Sequence, residues 1–330
     1  MKKILAMGNA LVDMMTQLPN DSILSDLALP KGSMQLVDAT QSKQIQEFTK
    51  SMVRTRVSGG SAANTIRSIA NLKAPCGYLG KVSNDELGIF FRNEMNALGI
   101  NTLLQHSATP TGLAVALVSP DSERTFATYL GAAAELTPEE LSKESMAGFD
   151  YLHIEGYLAF NHSLIKKAME IARANNIIVS MDMASYNVVE INRDFLLDVI
   201  KNDVDIVFAN EEEARALTGM GPEDAVHQIA EMCRIAIVKT GADGSLIKSQ
   251  GQLSKIPARK TSPVDTTGAG DNYASGFLYG HANGWSLKKC GQLGTVMASR
   301  VIEVIGTTMS SETWEWINAE KECIAASGND

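Results

Sequence analysis

The chain has 330 residues, 45% of them hydrophobic and 20% charged, with a formal net charge of -9. That is the composition of a globular protein long enough for one large α/β domain with an appendage, or for two equal domains. The acidic balance argues against a nucleic-acid binder, which needs a basic face to displace counterions, but leaves room for an anion held locally by backbone amides and a metal.

At the N-terminus, Lys2 and Lys3 precede an apolar stretch that breaks at Gly8-Asn9 and meets Asp13, a poor signal peptide. Short runs rich in Ile, Val and Tyr at 4–7, 78–80, 151–154, 177–181, 205–208 and 235–238 predict buried strands. Between them, 86–98 carries apolar residues at helical spacing and stops at Gly99. Thr137-Pro138-Glu139-Glu140 is a capping box that predicts a helix ending near Gly148. A longer helix is predicted over 287–305, with Leu293, Val296, Met297, Val301 and Val304 on one stripe. This alternation predicts a three-layer α/β/α fold around a mostly parallel sheet.

Two stretches break the rhythm. Residues 14–40 show no clear helix and contain Pro19, Pro30 and Gly32. Residues 112–118 and 124–130 flank Ser119-Pro120-Asp121-Ser122 as a hairpin. Together they predict a small antiparallel sheet outside the main layers, either a lid or a decorated edge. The expected division is a large unit of 1–13, 41–104 and 131–330 with a small β unit of 14–40 and 105–130. No apolar run approaches the ~18 residues of a membrane span. Cys76, Cys233, Cys290 and Cys323 form no CxxC pair, which points to a reducing compartment. The expectation is a soluble cytoplasmic protein with neither membrane nor nucleic-acid partners.

Val264-Asp265-Thr266-Thr267-Gly268-Ala269-Gly270-Asp271, followed by Asn272-Tyr273-Ala274-Ser275-Gly276-Phe277, carries the most chemistry. A glycine turn opening a helix presents free amides and the positive end of the dipole, an anion site by construction. Asp271 in the first turn is read either as a dipole-complementing acid or as a base beside a phosphate. In the second case it accepts the proton of an attacking hydroxyl, with the helix dipole expected to lower its pKa.

The stretch DTTGAGD resembles the carboxy-proximal signature of the ribokinase-like (PfkB) carbohydrate and nucleoside kinases. Gly59-Gly60-Ser61-Ala62-Ala63-Asn64 resembles the family's N-terminal glycine signature, and Gly8-Asn9-Ala10-Leu11-Val12-Asp13 its substrate-binding opening. Asn210-Glu211-Glu212-Glu213 resembles the NxxE motif, and Lys239-Thr240-Gly241 the nucleotide-binding strand end. The resemblance implies a ribokinase-like fold with a β lid and an ATP-dependent kinase acting on a hydroxyl of a small sugar, with adenosine or another nucleoside as the alternative. A non-catalytic regulator of the same fold is the competing class. It further implies Asp271 as base with Gly268, Ala269 and Gly270 as the anion hole. Asn9, Asp13, Gly59, Gly60 and Asn64 would hold the acceptor; Asn210, Lys239, Thr240, Gly241 and Arg124 would meet ATP. Glu213 would hold Mg²⁺ through water, and Asp265 and Thr267 a monovalent cation such as K⁺, with 306–311 a loose match for further carbonyls. A monomer and a homodimer are both compatible with the family.

GxGxxG after the first strand and GxxxxGK[ST] are both absent, which sets aside dinucleotide-binding oxidoreductases and P-loop kinases.

Overall fold

The structure, a computed structural model, describes residues 1–121 and 123–328; Ser122 of the expected turn lies outside them. Strands run in chain order as β1 (Ile4–Met7), β2 (Leu11–Gln17), β3 (Met34–Leu36), β4 (Arg54–Gly59), β5 (Cys76–Ser83), β6 (Asn101–Ser107) and β7 (Gly112–Val118). They continue as β8 (Arg124–Tyr129), β9 (Tyr151–Glu155), β10 (Ile178–Asp182), β11 (Ile206–Asn210), β12 (Ile235–Lys239), β13 (Ser245–Ser249) and β14 (Gln252–Ile256). One nine-stranded sheet has the order β14-β13-β12-β11-β10-β9-β1-β5-β6. From β6 across to β12 neighbours are parallel; β13 and β14 close the edge antiparallel.

The apolar runs that marked these strands have a simple cause: both faces of the sheet are covered. Ile4 and Ala6 of β1 pack in one core with Tyr78, Phe208 and Phe277. Leu5 and Met7 point into the other, with Leu79, Ile154 and Val207. The three-layer expectation holds.

The smaller sheet has the order β3-β8-β7-β2-β4, and it corrects the expected one in three respects. It is mixed, because β2 pairs parallel with β7 and β3 parallel with β8, while the β7–β8 hairpin is antiparallel as expected. It recruits Arg54–Gly59, from a stretch assigned to the large unit. That strand reads Arg-Thr-Arg-Val-Ser-Gly with its first residues half-buried or exposed, so it carries no apolar signal and is fixed by pairing with β2. Residues 105–107, assigned to the small unit, instead complete β6 in the large sheet.

Two helix expectations are also revised. Pro138–Glu140 forms a single 3-10 turn with both halves of the capping box present. Propagation stops there because Glu140 turns to the Lys81 ammonium at 2.7 Å while Leu141 and Met146 drop into the core. The helix expected over 287–305 ends at Val301; the Val264 amide takes the Ile302 carbonyl at 2.7 Å. A helix at Ala39–Phe48, opened by an Asp38–Gln41 capping box, was not expected.

Candidate active site

The carboxyl ends of β1, β9, β10, β11 and β12 open into a cleft of about 1530 Å³, walled on one side by Leu11, Asp13, Met34, Leu36 and Ala114 of the smaller sheet. Open α/β sheets bind ligands at this end.

On the cleft floor, Gly268 adopts φ +73, a left-handed conformation open to glycine, and caps the helix Ala269–Ala282. Asp271 lies in the first turn. Its Oδ1 accepts from the Ser61 hydroxyl at 2.7 Å and its Oδ2 from the Asn64 amide at 3.0 Å. Enclosure by the protein pushes its pKa up to about 6, against the lowering effect of those two hydrogen bonds. The lowering expected from the helix dipole is therefore outweighed by desolvation.

Ser61 and Asn64 are themselves placed by a second glycine turn into the helix Ser61–Asn71. Gly60 has φ +96, and a Cβ there would sit 2.2 Å from the Asn9 carbonyl; one on Gly59 would fall 2.1 Å from the Asp13 carboxyl carbon. Both glycines are thus required by the close approach of the Gly8–Asp13 segment. The Asp13 side chain makes no hydrogen bond among the described residues; burial, opposed by Arg67, pushes its pKa up to about 7.

Glu155, at the end of β9, was missed from the sequence. Its Oε1 accepts from the Asn9 backbone and side-chain amides at 2.9 and 2.7 Å, and its Oε2 from the Ala62 amide at 2.9 Å. It therefore locks the first glycine loop to the second, and its burial raises its pKa to about 7.

A cationic centre faces this assembly. Lys239 Nζ lies 2.9 Å from Asp182 Oδ2 and 3.0 Å from where a Cβ on Gly270 would stand. Burial works against its charge, yet the carboxylates of Asp182, Glu213 and Asp271 together raise its pKa. Asp182 was also missed; the only signal for it and for Glu155 is an acid ending an apolar strand. Glu213 and Asn210 form a full capping box, with the Asn210 amide and side chain 2.8 Å from the two Glu213 oxygens. Desolvation raises Glu213 to about 7.

Of the residues expected at the site, Asn9, Asp13, Gly60, Asn64, Asn210, Glu213, Lys239, Gly241, Thr267, Gly268, Ala269, Gly270 and Asp271 line the cleft. Gly59, Thr240, Arg124 and Asp265 do not. Thr240 instead gives its amide to the Gly244 carbonyl at 2.8 Å. Arg124 reaches from β8 onto the Asp265 carboxylate and to the Thr267 hydroxyl, at 3.1 Å for the latter. The Gly306 amide donates to Asp265 Oδ2 at 2.6 Å. Other lining residues not anticipated include Tyr157, Phe160 and Thr261.

An acid in the first turn of a glycine-capped helix and a lysine at the end of β12 face one large cleft, an arrangement compatible with a phosphotransferase acting on an alcohol group. The pattern described as pfkB family carbohydrate kinase matches residues 33–314, and the chain belongs to that family. A probable sugar kinase from Rhizobium etli superposes with a TM-score of 0.87 at 34% identity, over 98% of this chain and 99% of that one. The adenosine kinase from Sinorhizobium meliloti gives a TM-score of 0.86 at 32% identity, over 97% of this chain and 99% of the other. Among curated proteins, the 5-dehydro-2-deoxygluconokinase of Listeria monocytogenes is 27% identical across 86% of this chain and 92% of its own.

Proposed function

We propose that this enzyme transfers the γ-phosphate of ATP to a hydroxyl of a small sugar in the cytoplasm, with Asp271 as the base. The reading rests on one observation above all: Asp271 is held by Ser61 and Asn64 at the lip of the Gly268–Gly270 turn, where helix amides meet an anion. The acceptor lies toward Asn9, Asp13 and Asn64, the nucleotide toward Asn210, Gly241 and the segment 258–263. The Asp13 carboxylate, with free lone pairs, suits a pair of adjacent hydroxyls. Asp271 orients the attacking hydroxyl and takes its proton late, while amides and Lys239 hold the charge of the transferring group. The smaller sheet serves as a lid that excludes water, a competing acceptor.

Asp182 and Glu213 are buried acids lining the cleft, and Lys239 is the cation beside them, 2.9 Å from Asp182 Oδ2. They fit a Mg²⁺ ion held through its water shell; the ion would screen the phosphate charge. Magnesium therefore belongs to this reading as the nucleotide's counter-ion.

A second reading has specific support. The acceptor end is walled by Leu11, Ala114, Leu130, Met34, Leu36 and Phe160, the last three being more than half exposed. Large apolar side chains bordering a cleft suit a flat base, so a nucleoside such as adenosine is the rival acceptor. An ADP-release screen with Mg-ATP against pentoses, hexoses, keto-deoxy acids and ribonucleosides tests both. Acceptor-independent ADP release, or none at all, defeats them together.

A further inference from the structure

Asp265 and Thr267 come just before Gly268, at the entrance to the anion site. The donors around them do not fit a monovalent metal ion. Asp265 Oδ1 accepts from the Thr267 amide at 3.0 Å, and Oδ2 accepts from the Gly306 amide at 2.6 Å and from the Arg124 guanidinium. The same guanidinium donates to the Thr267 hydroxyl. A metal ion needs oxygen lone pairs converging on it, whereas here the positive ends of N–H groups converge on the carboxylate. The segment 306–311, expected to offer carbonyls, offers an N–H.

We propose that Arg124 is the built-in cation of this enzyme: its guanidinium neutralises Asp265 and orients the Asp265–Thr267 loop, so that turnover needs no monovalent metal ion. This rests on the kinase reading. The pair is almost withdrawn from water, with side chains 11% and 7% exposed, so the charge of Asp265 would otherwise reach the neighbouring phosphate site with little screening. One guanidinium nitrogen, Nη1, makes both contacts, to Asp265 and to Thr267, while the buried Nε has no partner among the described residues. Because Arg124 begins β8 of the smaller sheet, the cation arrives from the opposite wall of the cleft. Arg124 is thus a positioning residue, acting on the anion hole through Asp265.

The test compares potassium, sodium and tetramethylammonium chlorides at about 100 mM, which keeps screening constant. The wild type should turn over at rates within about twofold in all three, and its unfolding temperature without substrate should not depend on the cation. Stimulation by potassium of roughly fivefold or more overturns the proposal. Arg124→Ala should lose on the order of 10²-fold in rate and gain two properties: partial rescue by millimolar guanidinium or by potassium, and a potassium-specific rise in unfolding temperature. A variant that is fully active in tetramethylammonium, or inactive and rescued by neither ion, also overturns it. If that variant does not fold, Arg124→Lys takes its place and should stay independent of potassium. The unfolding series needs no acceptor, so a failed kinase reading and a failed cation reading separate.

Discussion

Asn64 and Asp271 join the starts of two helices at 3.0 Å, and the direction of that hydrogen bond is set from outside. The Thr307 hydroxyl donates to Asn64 Oδ1 at 3.1 Å, so the Asn64 amide nitrogen faces the carboxylate. A carboxylate held this way is ready to receive a proton from a third direction. Asp271→Asn is expected to lower turnover by ~10²–10⁴-fold with nucleotide affinity nearly unchanged. Single-turnover rates and calorimetric titration of ATP check it, and an unaltered rate removes the base.

The pKa of about 6 at Asp271 has a kinetic consequence. The base works only when ionised, so kcat/KM in the free enzyme should rise with pH through about 6 and level off above it. In Asn64→Ala the carboxylate loses a hydrogen bond that favours its charged form, so the rising limb should move to higher pH. A limb that stays in place in that variant assigns the titration to another group.

Lys239 sits among three carboxylates. Removing it leaves Asp182 and Glu213 enclosed without a counter-charge, a change that costs about 3 kcal/mol or more for a buried pair. Lys239→Met should show that loss in denaturant melts. Adding Asp182→Asn should restore part of the stability and none of the turnover. Recovery of activity in the double variant would show that Lys239 acts only on Asp182.

Acceptor class is readable from the apolar wall. Phe160→Ala and Leu36→Ala should raise KM for a nucleoside by roughly tenfold, about the worth of losing one stacking or apolar contact, while leaving a free pentose unaffected. Equal effects on both acceptors would mean that the wall shapes the lid and not the base pocket.

The parallel strands were legible because burial on both faces leaves unbroken runs such as Ile4–Met7, and the glycine turns because Gly60 and Gly268 need conformations or approaches that other residues resist. What stayed hidden depends on partners distant in sequence. Arg54–Gly59 carries no pattern of its own and becomes a strand by pairing with β2. Glu155 and Asp182 look like ordinary strand ends until Asn9, Ala62 and Lys239 are brought to them. The Arg124–Asp265 pair joins a strand of the smaller sheet to the loop ahead of the helix Ala269–Ala282, and no local spacing announces it.

Four acids of the cleft also set how stability should vary with pH. Asp13, Glu155 and Glu213 are raised to about 7 and Asp271 to about 6, burial being the largest cause in each. A folded state that holds protons more tightly than the unfolded chain is stabilised by them below the unfolded pKa values near 4, and loses that contribution as pH rises through 6 to 7. Asp85 and Asp265, with lowered values, act in the opposite sense at more acidic pH; His153, held down to about 4 by burial, and His281, also lowered, oppose the trend below about pH 6.5, two groups against four. The ligand-free protein should therefore unfold at a temperature higher by about 2 °C or more near pH 5.5 than near pH 8. Mg²⁺ added without nucleotide should reduce the difference, because a bound divalent cation favours the ionised acids. Stability that instead climbs steadily from about pH 5.5 to about pH 8 would mean these carboxylates are already ionised and hydrated in the free enzyme.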